Sequence, residues 1–260
     1  MGPFGKVLAP RAGLEVEIVI KGVILAGGTG SRLFPLTKVT NKHLLPVGRE
    51  PMIFHPIRKL LEAGVRDILI VTGTEHMGAV VQLLGSGAEF DARFTYKVQD
   101  QAGGIAEALG LAEDFARDSR LIVILGDNIF EDSLSNHVAA FAKQERGARI
   151  LLKEVPDPER YGVAELDGEK ILSIEEKPSA PKSSYCVTGI YAYDERVFKI
   201  VKELVPSGRG ELEITDVNNA YIKNNELEYS MIEGWWTDAG TFESLAHANE
   251  LANKTWGGQD

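Results

Sequence analysis

Apolar positions along the first half of the chain alternate between two rhythms. Val23–Ala26 is a short unbroken apolar run, the pattern of a strand covered on both faces of a parallel sheet. Asp67–Thr72, Phe94–Gln99 and Leu121–Leu125 predict further strands, the last the most apolar of all. Between them the spacing turns helical. Ile53, Ile57, Leu60 and Leu61 predict a helix over Pro51–Ala63 that stops at Gly64, and His76–Leu84 and Gly104–Phe115 predict two more. Strands and helices joined by short connections imply a parallel sheet with helices on both faces. Ligands on such sheets gather beyond the carboxyl ends of the strands, where Gly27–Gly30, Gln99 and Asp127 all stand.

The rhythm changes after residue 150. Ile150–Glu154, Val163–Leu166, Ile171–Glu175 and Val187–Tyr193 predict short strands, with an Asp167-Gly168 turn between the second and third. Helices are expected over Glu195–Leu204 and Glu211–Lys223, a strand over Tyr229–Ile232, a loop over Trp235–Gly240 and a closing helix over Thr241–Asn253. The expectation is therefore an α/β fold: a Rossmann-like, mostly parallel sheet flanked by helices, with a smaller mixed-sheet part. It forms one domain over residues 21–255, divided near residue 150. The first twenty residues carry Gly, Pro and basic side chains without a long apolar stretch, and read as an accessory leader of little order.

Composition narrows the function. With 260 residues the chain can bury a sizeable core, and 44% hydrophobic with 25% charged residues is ordinary for a globular domain. A net charge of −10 argues against nucleic acid or anionic membrane as partner, although a small anion still feels the local field of a glycine loop. No apolar run approaches the ~20 residues of a membrane span. The single cysteine, Cys186, excludes an intramolecular disulfide and a cysteine-rich zinc site, and fits a reducing cytoplasm.

Candidate chemistry clusters at the strand ends. Gly27, Gly28 and Gly30, followed by Arg32, suggest a polyphosphate cradle. Leu33 stands where a Rossmann fingerprint needs a small residue, and the Gly-Lys of a P-loop is missing. Asp127 is either a turn aspartate or a Mg²⁺ ligand, since magnesium takes one or two carboxylates beside phosphate oxygens and water. Asp238, in a glycine- and tryptophan-rich loop, is its best partner by context. Lys42 offers a second phosphate-binding cation, and Glu176-Lys177 places an acid beside a base. The five histidines show no metal-ligand spacing, and no Gly-x-Ser-x-Gly elbow occurs.

Several motifs, in order, carry a resemblance: Lys21–Leu33 with its Leu-Ala-Gly-Gly-x-Gly-x-Arg-Leu, Lys42-His-Leu-Leu-Pro-Val47, Leu125-Gly-Asp-Asn128, Glu175-Glu-Lys-Pro178, Arg209-Gly-Glu-Leu-Glu-Ile-Thr-Asp216 and Trp236-Thr-Asp-Ala-Gly240. Over roughly residues 20–250 the chain resembles the sugar-phosphate nucleotidylyltransferases, most of all those that transfer thymidylyl to glucose 1-phosphate. The resemblance implies the nucleotide-diphospho-sugar transferase fold, dTTP and glucose 1-phosphate as substrates, and Mg²⁺ as cofactor. The products would be dTDP-glucose and pyrophosphate, in the first step of dTDP-rhamnose formation. It further implies a cytoplasmic homo-oligomer, dimer or tetramer.

Residue by residue, the resemblance implies that Gly27, Gly28 and Gly30 approach the nucleotide and Arg32 holds its β- and γ-phosphates. Lys42 would bridge the phosphates of the two substrates. Gln99 would pair with the thymine edge, both donating and accepting, helped by the backbone at Gly104. Asp127 and Asp238 would hold Mg²⁺. Gly162, Glu176 and Val187 would contact the sugar, and Lys177 its 1-phosphate. Three departures stand out: Asp100–Gly104 replaces a Pro-Ser-Pro-Asp-Gly-like segment, His43 replaces glutamine, and Ala239 replaces threonine. Uridylyl transfer, another sugar 1-phosphate and a non-catalytic nucleotide-sugar sensor remain alternatives. The stretch after Gly240 is about one helix and a short tail, which carries the expectation of weak or absent feedback inhibition at a second site.

Overall fold

Strand β1 (Ile20–Ala26) is buried from Gly22 onwards, and its side chains alternate between two cores. Val23 and Leu25 face one, Ile24 and Ala26 the other, as the two-residue period of a strand requires. The computed structural model describes residues 18–256; the expected leader lies outside the described residues as far as residue 17. After β1 come a two-stranded hairpin, β2 (Pro46–Val47) and β3 (Glu50–Pro51), then α1 (Phe54–Glu62), β4 (Asp67–Gly73), α2 (Met77–Leu84) and β5 (Arg93–Gln99). Next are α3 (Ile105–Gly110), α4 (Glu113–Ala116), β6 (Arg120–Leu125), β7 (Asn128–Phe130) and α5 (Ser135–Lys143). The second half supplies β8 (Ala148–Glu154), β9 (Gly162–Asp167), β10 (Lys170–Glu176), β11 (Tyr185–Tyr193), α6 (Val197–Glu203) and α7 (Ile214–Lys223). It closes with β12 (Leu227–Met231), β13 (Trp236–Asp238) and α8 (Phe242–Trp256).

Strands β6, β1, β4 and β5 lie side by side and parallel. Strands β8 to β12 of the second half form no sheet of their own. They extend this one: β11 pairs antiparallel with β6, β9 and β10 follow it outwards, and β8 and β12 branch from β11 to complete nine strands. The reason lies in β11, which has no exposed residue along its length and therefore needs neighbours on both edges and cover on both faces.

Helices α3, α6 and α7 cover one face, burying Leu109, Phe198 and Tyr221; α1, α2 and α5 cover the other with Leu60, Leu84 and Phe141. Each fully buried side chain of this size contributes about 1.5–3 kcal/mol. Helix α8 packs Leu245, Ala248 and Ala252 onto a third cluster with Leu33, Val47 and Ile129.

Some elements differ from the sequence pattern. The helix expected over Gly104–Phe115 is two short ones, because the chain tightens where the Ala112 amide bonds to the Leu109 carbonyl, three residues back. Helix α1 starts only at Phe54, since Pro51 belongs to the hairpin opposite Pro46. Helix α5 had no counterpart in the pattern. The expected loop Trp235–Gly240 contains β13, which pairs with β7.

Candidate active site

The carboxyl ends of β1, β5 and β6 open into a cleft of about 400 Å³ whose far wall comes from the second half. Of the residues singled out in the sequence, Gly27, Gly28, Arg32, Lys42, Gln99, Gly104, Asp127, Gly162, Glu176, Lys177, Val187 and Asp238 line it. Gly30 does not. Its φ of 62° instead opens the short 3-10 turn Ser31–Leu33 that carries Arg32, a conformation glycine adopts without penalty.

The two aspartates meet because of β7 and β13. Asn128 sits opposite Asp238 in that ladder, and the Ala239 amide donates to the Asp127 carbonyl at 2.8 Å. A Cβ placed on Gly240 would lie 3.5 Å from Asp127 Oδ2, 3.6 Å from Asp238 Oδ2 and 3.3 Å from Arg32 Nη2. Both carboxylates and the guanidinium thus border one small space. Lys42 Nζ sits 2.5 Å from Asp127 Oδ2, with both side chains largely buried.

Their proton affinities diverge. Burial alone would raise the Asp127 carboxyl, but the Lys42 ammonium overrides it and holds the group far below its ordinary range. Asp238 is pushed up to about 6, first by burial and then by the Asp127 charge, with Arg160 and Arg32 opposing. His43, buried between Lys42 and Gly126, is lowered to about 3 by burial and the neighbouring cation, so it stays neutral.

The donor set fits a hard divalent cation: two carboxylates that repel one another across a buried space, supplying oxygen only. Among the described residues no three His, Cys, Asp or Glu side chains converge, so protein donors form no closed cage and leave places for phosphate oxygens and water.

On the far wall, Glu176 is gripped by Thr215, whose hydroxyl donates to Oε2 at 2.8 Å, and by Arg209 at 3.4 Å. Lys177 follows with Nζ 3.5 Å from Glu176 Oε1. The cleft floor at Gly104 (φ 104°) passes so close to the second half that a Cβ there would lie 2.4 Å from the Leu212 carbonyl. Gln99 behaves differently from expectation. Its Nε2 donates to the Gly104 carbonyl at 3.2 Å and to Glu107 Oε2 at 2.8 Å, so both amide hydrogens are taken within the protein.

Several site residues carried no individual assignment in the sequence. Buried Asn128 accepts from the Gly189 amide (2.9 Å) and Trp236 Nε1 (2.7 Å) while its Nδ2 donates to Asp127 Oδ1 (3.2 Å). Arg160 and Tyr161 flank Asp238 at 3.8 and 3.4 Å. Asn128, Arg209 and Thr215 lie inside motifs that were visible; Arg160 and Tyr161 had only the adjacent Gly162 as a marker.

Residues 21–255 match the family model described as nucleotidyl transferase. The chain belongs to the nucleotidyl transferase family. Relatives in this family include a glucose-1-phosphate thymidylyltransferase of Neisseria gonorrhoeae, 45% identical over 233 residues, 88% of this chain and 81% of that protein. Another glucose-1-phosphate thymidylyltransferase, from Xanthomonas campestris pv. campestris, is also 45% identical and aligns over 88% and 79%. Among solved structures, a Bacillus anthracis protein assigned as a glucose-1-phosphate thymidylyltransferase, with sucrose bound, superposes with a TM-score of 0.88. It is 62% identical and covers 90% of this chain and 95% of its own. A UDP-glucose pyrophosphorylase complexed with UDP-glucose superposes at 0.80 with 25% identity, over 91% and 99%.

Proposed function

We propose that this nucleotidyl transferase moves the thymidylyl group of dTTP onto glucose 1-phosphate, releasing pyrophosphate. The observation that carries the reading is the convergence of Asp127, Asp238, Arg32 and Lys42 at the ends of β1 and β6, in a chain whose relatives bear that name. Residues of about 21–150 would hold the nucleotide and those of about 151–255 the sugar phosphate.

The attacking group is an oxygen of the sugar 1-phosphate, already anionic at neutral pH, so no side chain need take a proton from it. It displaces pyrophosphate from the α-phosphorus in line, one P–O bond forming as the other breaks. The protein brings two mutually repelling polyanions together and stabilises charge on the leaving oxygens. Arg32 suits the departing phosphates, Lys42 the junction between substrates and Lys177 the sugar phosphate. Asp127 and Asp238 would hold Mg²⁺, which when bound neutralises phosphate charge. Glu176, steadied by Thr215 and Arg209, would accept from sugar hydroxyls.

A screen of nucleoside triphosphates against sugar 1-phosphates, read by pyrophosphate release, tests the proposal. The highest kcat/KM is expected for dTTP with glucose 1-phosphate; no release with any pair overturns it. Uridylyl transfer is the second reading, favoured by the UDP-glucose pyrophosphorylase neighbour and by a base contact, Gln99 Oε1, that thymine and uracil satisfy alike. The ratio of dTTP to UTP turnover decides between them.

A further inference from the structure

A glutamine amide presents two donors on one side and an acceptor on the other, and a flip about its last bond exchanges them. What it offers a ligand therefore depends on what holds it from behind. Behind Gln99 stand two groups that only accept, the Gly104 carbonyl and the Glu107 carboxylate. The reverse orientation would set Oε1 against both of them in a place where Gln99 is 8% exposed, leaving buried polar groups unmatched. The amide is thus turned so that Oε1 stands on the cleft side. A Cβ on Gly27 would lie 2.9 Å from it, and among the described residues no donor reaches it.

We infer that Glu107, which is not on the cleft wall, is a positioning residue that fixes the Gln99 amide so that the site selects a base with a proton on its central ring nitrogen. The inference rests on the proposed nucleotidyl transfer. Thymine and uracil carry N3–H and can donate to Oε1. Cytosine is the same size but presents a lone pair at N3, which faces the oxygen as acceptor to acceptor. Glu107 reaches Gln99 from beneath the loop. A Cβ on Gly103 would lie 2.0 Å from its Oε2, so the Gly103-Gly104 pair leaves room for the carboxylate under the loop. This departure from the Pro-Ser-Pro-Asp-Gly-like pattern therefore leaves space for the carboxylate behind Gln99.

The test compares kcat/KM for dTTP and dCTP, with glucose 1-phosphate as acceptor, in the full chain and in three variants. Glu107→Gln keeps a carbonyl able to accept from Nε2 and is expected to preserve the dTTP preference. Glu107→Lys only donates, so it draws Oε1 towards itself and turns Nε2 to the cleft. The dTTP to dCTP ratio is expected to fall by about tenfold or more, the size of effect that one mismatched buried hydrogen bond produces. Glu107→Leu, which removes the acceptor without adding charge, should lower the ratio less and serves if the lysine variant does not fold. Where turnover is too slow, the ratio of dissociation constants by calorimetry replaces it. A wild-type ratio in both the lysine and the leucine variants overturns the inference. Failure of the unaltered protein to turn over dTTP overturns the proposed function instead, and this inference with it.

Discussion

Asp127 and Asp238 border one space, yet the protein treats their charges in opposite ways. Asp127 is held ionised by Lys42, so its share of stability is present above the ordinary carboxylate value of 3.8 and is lost as pH falls through the lower folded value. Replacing Lys42 by Met leaves a buried carboxylate without its cation, which is expected to cost about 3–5 kcal/mol. Adding Asp127→Asn should recover much of that loss, and a denaturation cycle over the four proteins measures the coupling. For Asp238 the sign reverses. Its folded value near 6 lies above 3.8, so the stability it adds is complete below pH 3.8 and disappears as pH rises through 6. In metal-free protein at pH 7, Asp238→Asn should therefore raise the unfolding free energy by an amount on the order of 2 kcal/mol, and the thermal midpoint with it, while abolishing turnover. A lower midpoint for that variant would show that the ionised carboxylate is well tolerated. The presence of both aspartates at strand or loop ends was legible, because each sits in a local motif. Their meeting, the grip of Lys42 and the support of Glu107 were not, since each joins residues distant in the chain or, for Gln99 and Glu107, eight positions apart on different elements.

Strands β1, β4 and β6 could be read directly because burial on both faces leaves an unbroken apolar signature. Strand β13 could not. Its three residues, Trp-Thr-Asp, have no alternation of their own and become a strand only through β7, more than a hundred positions earlier. That small ladder hangs on Asn128, which ties β7 to β11 through the Gly189 amide and to β13 through Trp236. Asn128→Leu is close in volume but leaves two buried N–H groups without acceptors and removes a donor from Asp127. A loss of about 2–4 kcal/mol in unfolding free energy is expected, with a large fall in kcat. A variant that unfolds like the parent would show that β7 and β13 are held by packing alone.

Across the whole molecule, buried neutral histidines predict sensitivity to acid. His55 lies under Trp256 of α8 with ring centroids 5.0 Å apart and donates from Nε2 to the Val47 carbonyl, and it borders a second cavity of about 330 Å³ between α1 and α8. Burial, reinforced by Arg58 and Lys59, lowers it to about 4. A depressed histidine contributes stability above its ordinary 6.5 that is lost as pH falls towards 4. His55→Phe, which keeps a ring on Trp256, should flatten the fall in unfolding free energy over that window by roughly 3 kcal/mol; an unchanged slope would assign the acid response to other groups.

The fold also limits how the molecule can move. Because β11 is hydrogen-bonded to β6 and β9 along one edge and to β8 along the other, the same backbone lattice runs beneath both walls of the cleft. Two lobes joined by a linker can swing; two regions of one sheet can only flex, and the Leu212 amide bonded to Gly103 at 2.8 Å stitches their rims as well. Binding should therefore leave the radius of gyration in small-angle scattering almost unchanged. The slowing of amide exchange should be confined to the cleft lining, from Gly27–Lys42 and Gln99–Gly104 to Glu176–Lys177 and Arg209–Glu213. In mechanical terms the sheet is a stiff keel, and the compliance of this protein resides in its edges.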